Sequence, residues 1–208
     1  MLSTRPAQAG VTLIELMVGL TIMGLLIMIG LPNMTQWLNN TQIRTAGETM
    51  LAGLTLARTE AVRRNQIVRF QLVGDLSAAC AISTGGKSWV LSLADPTEAC
   101  DKAPSETVAP QIIQTRSGSE GTPRVTIVAT PTATVYFNGL GRLTSPGGAA
   151  NMTRIAISNP IGGACEQADG SGGPMRCMRI DISVGGDAKM CDPAVDPVAN
   201  PTDPRICK

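Results

Sequence analysis

The sequence predicts an α+β protein. One long N-terminal helix, transmembrane in its first half and amphipathic in its second, packs on antiparallel β-sheets, and disulfides stabilise the whole. Three observations lead there. An apolar run of bilayer length, residues 11–31, follows a short leader. The hydrophobic period then stays helical to about Arg64 and changes to alternation at Val68. Six cysteines all lie beyond that change.

The leader, residues 1–10, holds Arg5, no acid and small residues towards Gly10. An ordinary signal peptide places its apolar region before the cleavage site, whereas here the apolar run follows it and would be retained. Residues 11–31 read VTLIELMVGLTIMGLLIMIGL. At the helical rise they extend roughly 30 Å, the thickness of a bilayer's hydrocarbon core. Arg5 on the N-terminal side predicts that this end faces the cytoplasm. Gly19, Gly24 and Gly30 permit close helix–helix approach. Pro32 removes a backbone donor and is expected to kink or loosen the helix. Glu15 is the one charge in the run, and a carboxylate in hydrocarbon costs at least ~2.5 kcal/mol on insertion scales, so it points to a function.

From about Met34 to Arg64, Ile43, Met50, Leu54, Ala57 and Ala61 form one helical stripe, with Arg44, Glu48, Thr55, Arg58 and Arg63 on the rest of the circumference. An unbroken helix from Val11 to Arg64 is roughly 80 Å long, more than one small domain can bury. Three segments follow from this: 1–10 as cleaved leader, 11–32 as transmembrane and assembly helix, and 33–208 as a periplasmic or extracellular globular domain.

Val68, Phe70 and Leu72 alternate with Arg69 and Gln71 as a half-buried strand. Further strands are expected at Trp89–Leu93, Val108–Thr115, Arg124–Ala129, Ala133–Phe137, Arg154–Ser158, Met178–Val184 and Asp187–Cys191, the last two joined by a two-residue hairpin at Gly185-Gly186. The Gly-rich stretch Gly162–Pro174 reads as a loop. The tail from Asp192 to Lys208 has four prolines and no periodicity.

The chain has 208 residues and a formal charge of +1, so no global charge bias nominates a nucleic acid or a lipid headgroup. It contains no histidine, which removes Ser-His-Asp and Cys-His nucleophile systems and histidine-ligated metal sites. No catalytic residue, metal site or cofactor is expected. Cys80, Cys100, Cys165, Cys177, Cys191 and Cys207 form no CxxC pair, and their even number suggests disulfides in an oxidising compartment. Of the 15 connectivities six cysteines allow, sequential pairing is expected, because each of Cys80–Cys100, Cys165–Cys177 and Cys191–Cys207 brackets a Gly/Pro-rich or turn-rich loop.

Gly10, then Val11-Thr-Leu-Ile-Glu15-Leu, the apolar run and Pro32 together resemble the class III signal of type IV pilins and type II secretion pseudopilins. The resemblance implies cleavage after Gly10 by a prepilin peptidase and N-methylation of Val11, which stands where the family most often has Phe. It implies that Glu15 meets the amino terminus of a neighbouring subunit in a helix bundle, and that Pro32 is the family's helix-breaking proline. The stretches 57–65 and 135–142, with 190–193 and 203–207, resemble the GspH/FimT-like minor pilins and pseudopilins. That likeness implies a low-copy subunit that initiates or caps a type IV pilus, or alternatively a type II secretion pseudopilin, held in the bacterial inner membrane before assembly. Its partners would be other pilins or pseudopilins, the prepilin peptidase and an inner-membrane assembly platform. Some minor pilins bind DNA through arginines near the C-terminal end, for which Arg142, Arg176 and Arg179 are the candidates. Arginine forks suit phosphate, but Asp181, Asp187 and Asp192 lie among them and aromatics for base stacking are scarce.

Overall fold

The computed structural model describes residues 10–118 and 120–207, without the side chains of residues 29–33. Residues 1–9 of the expected leader therefore lie outside the described residues. A single helix, α1, spans Leu13–Arg64. It continues through Pro32, whose side chain is outside the description. Among the described residues no helix is long and apolar enough to cross a membrane. The expected span runs to Leu31, past the last apolar side chain described in that run, Met28.

The chain divides into two compact units, Met1–Trp37 and Leu38–Lys208, so the division falls inside α1. The second unit holds eight strands: β1 (Val68–Val73), β2 (Ser88–Ser92), β3 (Ile112–Arg116), β4 (Thr126–Thr130), β5 (Thr134–Phe137), β6 (Arg154–Ser158), β7 (Met178–Ile182) and β8 (Ala188–Cys191). They form two four-stranded antiparallel sheets with orders β3-β2-β1-β5 and β4-β6-β7-β8.

α1 is held in this unit by the expected stripe. Ile43, Met50, Leu54, Ala57 and Ala61 are all buried and share one core with Phe70, Leu91, Val135 and Phe137 of the first sheet and with Ile155, Ile157 and Ile180 of the second. Two helical glycines set the approach. A Cβ on Gly47 would fall 2.7 Å from Met190 Sδ, and one on Gly53 would fall 2.8 Å from Phe70 Cε2 and 2.9 Å from Trp89 Cε2. The helix ends in a Schellman motif. Asn65 takes φ 50°, its amide donates to the Val62 carbonyl, and the Gln66 amide donates to the Ala61 carbonyl.

Several strand limits differ from the expected ones, for local reasons. β3 begins at Ile112 and not at Val108. Pro110 has no amide hydrogen, Gln111 sits at φ 56°, and its amide closes a turn on the Val108 carbonyl, so before Ile112 this segment only accepts, through the Gln111 and Pro110 carbonyls, from the Leu93 and Ala94 amides. The β7–β8 connection is a three-residue loop, Val184 to Gly186, rather than a two-residue turn. Ser183 and Asp187 bond through their backbones, and only Gly186 adopts positive φ, whereas a two-residue type I′ turn requires it twice. The 162–174 stretch is a loop folded on itself, with bridges Cys165↔Met175 and Glu166↔Gly172.

Disulfides join Cys80–Cys100, Cys165–Cys177 and Cys191–Cys207. The last ties the tail to β8, where the Asp192 amide also donates to the Arg205 carbonyl. Asn40 of α1 bonds the second disulfide loop through both ends of its amide: Nδ2 donates to the Pro174 carbonyl and Oδ1 accepts from the Arg176 amide.

Candidate functional site

The residues with chemical meaning in the sequence cluster at the start of α1. Gly10, Val11 and Thr12 are outside the helix and exposed, and a Cβ on Gly10 would meet nothing within 4 Å. The peptide bond between Gly10 and Val11 is thus on non-helical, uncrowded backbone. Leu13 opens the helix, and the first intrahelical bond runs from the Leu16 amide to the Thr12 carbonyl at 3.2 Å.

Thr12 is the residue that sequence reasoning passed over. Its Oγ1 accepts the Glu15 amide at 3.3 Å, so Thr12 caps the helix and satisfies one of the four orphan donors of the first turn. The signal was legible: Thr followed three residues later by Glu, ahead of an apolar run, is the capping-box spacing. Glu15 accordingly has a local position as well as a charge. It is the acidic residue of the first turn, where the unpaired amides make the potential positive.

Beyond Glu15 the described surface as far as Met28 is apolar apart from Thr21, whose hydroxyl donates to the Val18 carbonyl. From Val11 to Met28 the large apolar side chains are 47–76% exposed. Among the described residues of that unit none is buried. Such a surface requires lipid or other apolar protein against it.

The three candidate DNA-contacting arginines are placed differently from one another. Arg179 on β7 is largely covered and binds Asp181 at 2.7 Å, with Arg154 on the same carboxylate at 3.4 Å. Arg176, on the approach to β7, pairs with Glu166 at 3.5 Å. Arg142 is exposed at the turn after β5, where Asn138 Oδ1 accepts its amide. Beside that turn, Arg58 of α1 donates through Nε to the Gly141 carbonyl and pairs through Nη1 with Asp187 of the β7–β8 loop. This ties the helix to two loop tips.

The ligand atoms of Asp181, Cys191 and Cys207 lie within 4.8 Å of one another. Both sulfurs are joined in a disulfide and the carboxylate holds two guanidinium groups, so the set offers no thiolate to a metal ion. The clefts of the second unit are open and of modest size. One of about 360 Å³ between α1 and strands β2 and β3 is lined by Glu48, Thr49, Leu56, Trp89 and Arg116; there the Thr49 hydroxyl donates to the Thr45 carbonyl and Glu48 pairs with Arg44.

A family model described as type II transport protein GspH matches residues 46–186, and one for the prokaryotic N-terminal methylation motif matches residues 5–31. No curated protein matches the sequence. Two crystal structures of the type IV minor pilin FimU of Pseudomonas aeruginosa strain PAO1 are similar at 18% identity. One covers 71% of this chain and 90% of that chain with a TM-score of 0.44, the other 72% and 88% with 0.43.

Proposed function

Because the chain belongs to the family described as type II transport protein GspH and carries a prokaryotic N-terminal methylation motif, we propose that it is a structural minor pilin that initiates or caps a type IV pilus filament. The observation that carries this reading is the exposed apolar surface from Val11 to Met28 with Glu15 as its one charge. A prepilin peptidase removes residues 1–10, and Val11 becomes the methylated amino terminus. Residues 11–32 hold the subunit in the inner membrane until it is extracted into a bundle of like helices. There Glu15 meets the positive amino terminus of a neighbour, an attraction strengthened by low dielectric, and the apolar side chains exchange lipid for protein.

The description of the matched family favours a second reading, in which the same subunit serves a type II secretion pseudopilus. The two share the chemistry of the helix and differ in their partners.

Mass spectrometry of the amino terminus tests the common premise. A chain beginning at N-methyl-Val11 is expected, and an intact Met1 in cells with an active peptidase overturns it. Glu15→Ala is expected to leave processing intact and to remove the subunit from sheared filaments. Normal incorporation of that variant refutes recruitment by charge.

A further inference from the structure

We propose that Met34 and Trp37 form a lipid contact of the membrane-held subunit: they lie in the glycerol and headgroup layer on the side of the bilayer away from Gly10, and so set how far α1 sinks into it. This rests on the membrane-held segment proposed above. It concerns residues past the end of the matched methylation motif, which stops at residue 31.

Three observations meet at this place. The first is exposure. Met34 and Trp37 stand three residues apart on α1, hence on one face, and are 59% and 61% exposed. The attachments of the helix within the second unit begin only after them, with Asn39 buried, Asn40 bonded to Pro174 and Arg176, and Ile43 as the first residue of the core stripe. The second is composition. No charge occurs from Leu16 to Ile43, yet after Leu31 the apolar run gives way to amides and hydroxyls such as Thr35, Gln36 and Asn40. Uncharged polar groups around an exposed indole match a layer that is neither hydrocarbon nor bulk water, and tryptophan is enriched there because one end of its ring is apolar and the other carries an N–H.

The third is length. From Leu13, which opens the helix, to Trp37 the helix rises about 36 Å. A hydrocarbon core is about 30 Å thick, and the bilayer with both interfacial layers about 40–45 Å. With Leu13 at the near edge of the core, Trp37 emerges about 6 Å past the far edge, inside the interfacial layer. A tilt of about 20° still leaves it about 4 Å past that edge. The next charge along the chain, Arg44, is paired with Glu48 at 2.9 Å, so the contact needs no anionic headgroup. The partner is the carbonyl and glycerol zone that neutral and anionic phospholipids share.

The test reconstitutes the full-length chain in phosphatidylcholine vesicles whose acyl chains carry bromine either near the headgroup or near the chain end. The chain has two tryptophans, and Trp89 is 3% exposed in the core of the second unit, so comparison with Trp37→Phe isolates the emission of Trp37. Shallow bromine is expected to quench up to about half of the wild-type emission, the share of one tryptophan in two, and deep bromine clearly less. Neither should quench Trp37→Phe. Replacing part of the lipid by phosphatidylglycerol should leave the pattern unchanged. Stronger quenching by deep bromine overturns the inference, as does quenching that needs phosphatidylglycerol. Quenching by neither label overturns it too, whether Trp37 is then open to aqueous acrylamide or shielded from it by a second copy of the chain. A chain that does not float with the vesicles removes the membrane-held segment and this inference with it, whereas a floated chain with an unquenched Trp37 removes only the inference.

Discussion

Replacing Gly53 with alanine tests how α1 is seated on the first sheet. On a free helix the change stabilises by about 1 kcal/mol, because alanine is the better helix former. In this fold the new methyl would lie 2.8 Å from Phe70 Cε2 and 2.9 Å from Trp89 Cε2. Neither ring can withdraw easily. Phe70 is fully buried, Trp89 is nearly so, and their centroids lie 5.6 Å apart. Overpacking of this kind costs about 1–3 kcal/mol, which exceeds the propensity gain and leaves a net destabilisation of about 1 kcal/mol. Gly47→Ala is the internal control. Its new methyl meets mainly Met190 Sδ at 2.7 Å, the end of a flexible and only partly buried side chain. There the thioether can turn away, and the propensity gain prevails. Denaturant unfolding of the full chain in detergent, followed by tryptophan fluorescence, should show a lower midpoint for Gly53→Ala and an equal or higher one for Gly47→Ala. Thermal midpoints should differ in the same order, by about 2–4 °C per kcal/mol. If Gly53→Ala is as stable as Gly47→Ala, the aromatic pair does not set the approach of the helix, and the reasoning fails.

Changing both Cys191 and Cys207 to serine should lower stability by about 3 kcal/mol, the chain-entropy value for a closed loop near this separation of 16 residues, and protease should then cut between Asp192 and Ile206; a tail that stays protected would show that its backbone bonds suffice. Glu60 accepts hydrogen bonds from Arg63 and Arg64, which hold its carboxyl below the ordinary 4.5 although burial opposes them. Its folded pKa is depressed, so its contribution is present above about pH 4.5 and is lost as the pH falls through the folded value. Glu60→Gln should therefore be less stable than the wild type at pH 7 and closer to it at pH 3, and a pH-independent gap in denaturant midpoints would contradict this. Because Arg176 and Arg179 are engaged by Glu166 and Asp181, duplex DNA should be retarded weakly even at low salt, and a steep salt dependence of binding would refute that expectation.

Much of this protein was legible because the relevant signals are local. A helical stripe from Ile43 to Ala61, alternation from Val68, and a single carboxylate five residues after Gly10 each depend on residues within a few turns of one another. The N-cap at Thr12 was equally local, and its spacing to Glu15 was available in the chain. The candidate site belongs largely to this class, since its residues are consecutive on one helix start.

Other features required the folded chain. Alternation identifies a strand but leaves its neighbours open, so β1 lying between β2 and β5, and β6 between β4 and β7, follows from hydrogen-bond ladders across distant segments. The start of β3 was decided by the backbone of Pro110 and Gln111, against an apolar pattern that ran further back. Arg58 looks in the sequence like one more solvated helix charge, yet folding brings the Gly141 carbonyl and Asp187 to it. Asn40 likewise finds its partners 134 and 136 residues away. The amino-acid sequence alone thus determined which segments form the helix and most of the strands, and which residues stand at the helix start, because those are set by neighbours along the chain. Only the tertiary structure decided strand order, loop contacts and which charges are already paired, because those depend on groups that the chain separates and packing reunites.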